Sequence, residues 1–275
     1  FSVSFTELGP GQGNYVRLPA EAFGTVYAYS PPDENCRATG THAPVVKLVT
    51  PQQLQMYTAG GSYRWSEQSY LQAELGLSRR DLNRFSDIDD GDNTGSSLFL
   101  KGGHEEVISD SWTAQLQGQY EYVNRNFRAL NPYRAPEFVR DWNLDNLPTG
   151  PRQEHFGTAW LNARSDSIGT LGYGLSVFSR DSVFEGLKHL YRLDLQKEHW
   201  QVRGTGSWLL SEGIREATSF FRPRLEVSRQ LPGLGNWRVG LYGEWEDNRR
   251  VALGTDSLNG RSFRYDLHRF FVETP

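Results

Sequence analysis

Apolar and polar residues alternate along most of this chain, and a period of two admits strands with two unlike faces and little else. From 112 to 122, Trp112, Ala114, Leu116, Gly118, Tyr120 and Tyr122 alternate with Thr113, Gln115, Gln117, Gln119 and Glu121. The split recurs over 200–210, from Trp200 and Val202 to Trp208 and Leu210, and over 237–245, where Trp237, Val239, Leu241, Gly243 and Trp245 share a face. Weaker versions cover 53–64, 69–79, 154–164, 169–180, 186–196, 219–230 and 261–273. That makes about ten strands, each near the roughly 9–11 residues that cross a bilayer when tilted. Helical runs are missing: 19–23 and 136–140 have room for one turn each, so an α/β fold is excluded.

Register supports an antiparallel, up-and-down meander. A hairpin about Lys197-Glu198, pairing 195 with 200 and 193 with 202, puts both apolar sets on one face. A turn at Asp166-Ser167, pairing 162 with 171 and 160 with 173, places Trp160 and Tyr173 together. Residues 1–50 read differently, as a small β subdomain or linker with shorter strands at 1–8, 14–18, 24–29 and 41–49, broken by Gly9-Pro-Gly-Gln-Gly13 and Pro31-Pro32-Asp33-Glu34-Asn35. Residues 51–275 carry the meander, with long connections at 80–111 and 125–152 that stand out against hairpin loops of about 2–5 residues. The chain begins and ends inside alternating runs, so we expect a segment of a longer polypeptide.

Only 37% of the residues are hydrophobic and mean hydropathy is −0.61, with no apolar run near the roughly 18 residues of a transmembrane helix. A net charge of −4 gives a nucleic-acid partner no electrostatic support, and the single cysteine, Cys36, forbids an intrachain disulfide or a cysteine-cluster metal site. Two architectures remain. In a transmembrane β-barrel the apolar face meets lipid and the polar face lines a wet interior. In a soluble sheet the apolar face is the core. Aromatics near the ends of the apolar faces (Trp112 and Tyr122, Trp200 and Trp208, Trp237 and Trp245), with Gly and Ala between them, favour the barrel. Consecutive long loops, and His189 and Arg269 read on apolar faces, count against it. The leading expectation is therefore an all-β barrel, or part of one, with Arg192, Asp194, Arg203, Arg222, Arg224, Glu226, Arg238, Glu244, Arg264 and Asp266 lining its interior. It acts as a channel, passage or structural element, with the bilayer as partner. The competing expectation is a soluble or surface-displayed sheet that grips a glycan or protein through exposed aromatics.

Three stretches draw chemical attention. Asn124 to Asn143 sets Arg125, Arg128, Arg134 and Arg140 among Phe127, Tyr133, Phe138 and Trp142. Stacking and pairing with Glu137 and Asp141 make it a rigid, self-packed plug or partner loop, carried by Arg134, Glu137, Arg140, Asp141 and Trp142. Asp87, Asp89, Asp90, Asp92 and Asn93 form the densest set of oxygen ligands and open like an EF-hand loop, but Lys101 stands where its last ligand belongs. This is a candidate Ca²⁺ site beside the plainer reading of a solvated acidic loop; no other cofactor is expected. Glu244 and Glu246 flank Trp245 as a glycosidase carboxylate pair would, yet nearby Arg222 and Arg238 favour charge balance. Gly9 to Gly13 is a turn, since no helix follows and Pro10 removes an amide donor. His104-Glu-Glu106 lacks the second histidine of a zinc-protease helix, and no enzyme is expected.

Glu7-Leu-Gly-Pro-Gly-Gln-Gly-Asn-Tyr15, Ser78-Arg-Arg-Asp-Leu-Asn-Arg-Phe-Ser86 with its acidic run, and Tyr133-Arg-Ala-Pro-Glu-Phe-Val-Arg-Asp-Trp-Asn143 resemble recurrent segments of large outer-membrane β-barrel proteins of Bacteroidota-type bacteria. The resemblance spans 7–143. It implies a Gram-negative cell envelope location, a longer parent chain, and other outer-membrane or periplasmic proteins as partners. It implies no mechanism.

Overall fold

The structure, a computed structural model, describes residues 3–19, 24–46, 50–88, 90–255 and 257–274. The chain divides into two compact units, Phe1–Pro51 with Leu82–Ser86, and Gln52–Asp81 with Asp87–Pro275. The turn expected at 19–23 falls largely outside the described residues, as do the ends of the strands expected over 1–8 and 41–49.

The first unit is a four-stranded sheet of short strands, β1 (Thr6–Glu7), β2 (Tyr15–Leu18), β3 (Val26–Tyr29) and β4 (His42–Ala43), in the order β1-β4-β2-β3. Rings rather than aliphatics hold it: Phe5 stacks on Tyr27 at 4.3 Å and meets Tyr15 edge-on at 4.8 Å. Gly13 and Gly40 bridge each other where a Cβ on Gly13 would lie 2.2 Å from the His42 carbonyl oxygen. Gly9 and Gly11 adopt φ of 106° and 72°, conformations that suit glycine, and the segment between them is a turn.

The second unit is one antiparallel sheet of 11 strands in chain order. They are β5 (Gln53–Arg64), β6 (Ser69–Asp81), β7 (Thr94–Ser109), β8 (Trp112–Val123), β9 (Glu154–Ser165), β10 (Gly169–Arg180), β11 (Phe184–Lys197), β12 (Trp200–Gly213), β13 (Glu216–Leu231), β14 (Trp237–Ala252) and β15 (Phe263–Glu273). The sheet does not close: β5 and β15 are its two edges. One helical turn, α1 (Phe138–Asp141), interrupts the β8–β9 connection.

Strand β7 corrects the expected organisation. It occupies half of the 80–111 stretch read as a loop, and the true connection is 82–93. With it in place, the connections 65–68, 110–111, 166–168, 198–199 and 232–236 at one end of the sheet are all short. The long ones, 82–93, 124–153 and 253–262, all leave from the other end, so the objection from consecutive long loops disappears.

Register settles the faces. Lys197 pairs with Trp200 about a Glu198-His199 turn, one residue further along than expected, so that Leu195 meets Val202 and the face assignment stays intact. At 166–168 the loop takes a third residue, Gly169 has φ 116°, and Trp160 pairs with Gly174 while Tyr173 pairs with Leu161. Trp160 therefore lies on the polar face, because a slip of one residue exchanges the faces of a strand. The buried core also sits on the polar face, where Trp142 and Leu144 of the 124–153 connection cluster with Phe178, Val183, Phe184, Leu209 and Phe220.

Candidate functional site

The apolar face carries large exposed side chains on strand after strand, among them Leu75 (58%), Leu116 (55%), Leu161 (55%) and Leu241 (63%). Trp200 and Trp237 open β12 and β14 beside short turns, and Trp208 and Trp245 follow eight positions on. Eight residues of strand cover about 26 Å. Histidines on this face are satisfied within it. The Tyr173 hydroxyl meets His189 Nδ1 at 2.7 Å and the imidazole packs 5.7 Å from Trp208; Tyr120 and His155 repeat the hydroxyl–imidazole pair at 2.7 Å.

This apolar belt does not follow the hydrogen-bonded rows. One row passes through Leu71, Gly118, Leu175, Trp208, Asp247 and Arg264. It enters at the short-turn end of the apolar stretch in β6, reaches the far end of that stretch in β12, and lies beyond it in β14 and β15. The belt slips by about one residue per strand, which at about 3.3 Å per residue and about 4.8 Å between strands inclines the strands by roughly 35°.

The opposite, polar face is partly filled by the 124–153 connection. Its turn of helix ends in a left-handed Asn143 (φ 53°), with the Asn143 amide donating to the Arg140 carbonyl (3.1 Å) and the Leu144 amide to that of Val139 (2.9 Å). Asparagine tolerates this cap better than most side-chain-bearing residues. The reversal drives Trp142 (3% exposed) among Phe138, Phe156 and Phe178, with the Lys188 ammonium 4.0 Å from its ring centroid. The Asn143 amide donates to Thr218 Oγ1 (2.9 Å) and Asn248 Oδ1 (3.1 Å), while its oxygen accepts from Asn248 (3.0 Å) and Arg250 (2.8 Å).

Charged anchors surround that core. Arg140 donates to both oxygens of buried Glu246 at 2.6 Å, and Arg222 donates to Asp141 at 2.6 Å. Arg134 donates to Glu121 at 2.5 Å, lies 3.6 Å from Glu154, and stacks 4.7 Å from the Phe138 ring centroid. Arg250 bridges Asp145 (2.8 Å) and Glu216 (3.2 Å), and Arg261 from the β14–β15 connection takes the other Asp145 oxygen (2.8 Å). Burial pushes the Asp145 carboxyl up, but the hydrogen bond and charge of Arg250, with Arg261 beside it, hold it below the usual carboxylate range. The expected stacking of Arg134 on the segment's own rings is seen, but the expected ion pairing within the segment is corrected: Arg134 and Arg140 pair with Glu121 and Glu246 of the sheet, and Asp141 with Arg222. Glu137 serves the segment through its carbonyl, which accepts the Asp141 amide at 2.8 Å.

Of the ten residues expected on one interior face, Arg192, Asp194, Arg203, Arg222, Arg224, Glu226, Arg238 and Glu244 do share the polar face. Arg264 and Asp266 do not: they oppose Asp247 and Trp245 on the other face, beyond the belt. Arg269, read on an apolar face, lies on the polar one, 5.1 Å from the Tyr242 ring centroid. The shared face is laced by ion pairs, Arg203–Glu226 and Arg224–Glu244 at 2.9 Å and Arg238–Glu273. Glu244 also accepts from Tyr242 (2.6 Å) and Tyr265 (2.8 Å), so both carboxylates of the Glu244/Glu246 pair are occupied by donors.

In the acidic loop, Asp89 lies outside the described residues. Asp90–Asp92 forms a turn of 3-10 helix, and Asn93 Nδ2 donates to Asp90 at 2.8 Å. Among the described residues, no three acidic, histidine or cysteine side chains converge as a cation site. Asn143, Asp145, Glu154, Lys188, Glu216, Asn248 and Arg250 carry the folded-in segment without having been singled out from sequence. The five on strands show only as polar residues inside strand runs, and Asn143 and Asp145 only as polar residues of the connection, since their partners lie far along the chain. No protein-family model, curated protein or solved structure matches the chain.

Proposed function

We propose that this chain forms wall and interior of a transmembrane β-barrel of the bacterial outer membrane, and that it acts as a structural or passage element. The oblique apolar belt carries this reading. Strands of membrane barrels tilt by about 35–45° and leave an outward band about 25 Å tall with aromatic rims, and the slant and height of this exposed belt match that geometry. Short turns throughout one end, with all three long connections at the other beside the short 181–183 and 214–215, accord with it. The folded-in segment narrows the polar side, anchored by Arg140–Glu246 and Arg222–Asp141.

Tryptophan quenching tests the reading. In vesicles of brominated lipid, Trp208 and Trp245 fluorescence is expected to fall strongly, while buried Trp142 is spared. Equal quenching of the belt tryptophans by a water-soluble quencher, with none from the lipid, would instead favour a surface sheet that binds glycan or protein through its exposed aromatics.

A further inference from the structure

The open sheet has a handedness of direction that restricts what can close it. All ten junctions from β5 to β15 are antiparallel, so strand direction reverses at each step and β5 and β15 run the same way. Joining these edges to each other would require a parallel pair in an otherwise antiparallel sheet. A second copy fares no better. Copies facing the same way would meet β15 to β5, again in parallel. An antiparallel β15–β15 contact relates two copies by a two-fold axis through the sheet, and that inverts one of them, carrying its 124–153 end to the opposite side of a membrane. Outward apolar side chains nevertheless reach both edges, with Phe270 and Val272 exposed on β15 and Tyr57 and Tyr63 on β5. Such edges are templates for further strands.

We infer that the sheet is completed by a polypeptide segment, other than a copy of this chain, that contributes an odd number of antiparallel strands with apolar residues outward and polar residues inward. Its strands pair with β15 on one side and with β5 on the other. The argument against a second copy rests on the membrane reading above; the argument from strand direction does not.

Disulfide trapping tests it. With Cys36→Ser as background, Phe270→Cys is paired in turn with Tyr57→Cys, Ala59→Cys and Gly61→Cys, all outward-facing. The chain is oxidised in whichever medium folds it and in envelope fractions of producing cells. Strand-resolved amide exchange is read in parallel on the folded chain. The expected result is no disulfide within a chain, no Phe270→Cys homodimer, and exchange of β5 and β15 amides faster by about 100-fold or more than those of β10–β13. A disulfide within one chain, or β5 and β15 protected like the interior strands, would overturn the inference in favour of parallel self-closure. A Phe270→Cys homodimer would overturn it in favour of a second copy. Folding in plain buffer would remove the membrane reading while leaving the strand-direction readout intact, so the two failures are distinguishable.

Discussion

Asn143 and Asn248 hold each other through both halves of their amides, each Nδ2 donating to the other's Oδ1 at 3.1 and 3.0 Å, across 105 residues of chain. This pair closes the folded-in segment onto β14, and both side chains are buried, 3% and 2% exposed. Asn143→Ala removes four side-chain hydrogen bonds and places alanine at a positive φ. A loss of about 2–4 kcal/mol is expected, since each buried group left unpaired costs about 1–3 kcal/mol. Asn143→Gly restores the backbone freedom and should recover part of it. Urea unfolding of both variants measures the difference.

Trp142 supplies the apolar part of the same anchor. Trp142→Ala should cost about 3–5 kcal/mol, the range for truncating a large buried aromatic. Limited proteolysis provides the specific readout: cleavage within 124–153 should accelerate while the strands stay resistant.

Acid should loosen the segment through Asp145. Its folded pKa lies below the unfolded value, so its contribution is complete above the ordinary carboxylate range near about 3.9 and is lost as pH falls through the depressed folded value. Asp145→Asn should remove this acid-side dependence. Protease sensitivity of 124–153 followed from pH 6 downward, roughly across the carboxylate range, checks it; an unchanged profile in the variant would assign the transition to other carboxylates.

The belt makes a positional prediction on the opposite face. Leu75→Arg and Leu225→Arg, both inside it, should each cost about 2–4 kcal/mol in lipid, whereas Arg249→Leu, outward but beyond it, should stay within about 0.5 kcal/mol. Refolding yields in vesicles and urea midpoints report both.

Much of this was legible in sequence where the two faces differ sharply. In β12 the Trp, Val and Gly of one face alternate with Gln, Arg and Thr of the other, so its limits and faces can be read directly. Strand β7 could not be read because Leu98-Phe99-Leu100, Gly102-Gly103 and His104-Glu-Glu106 erase the alternation. Strand β15 misleads because aromatic and charged residues occupy both faces: Tyr265 and Arg269 on one, Arg264 and Phe270 on the other. The folded-in segment announced its aromatic and arginine content but not its partners. Arg140 meets Glu246 over 106 residues, a distance at which periodicity carries no information.

The most direct test of the central claim is to fold the chain with and without detergent micelles and compare circular dichroism with size-exclusion profiles. An apolar belt that faces lipid predicts β structure and a single compact species only when detergent is present. A compact, β-rich monomer in plain buffer would contradict it.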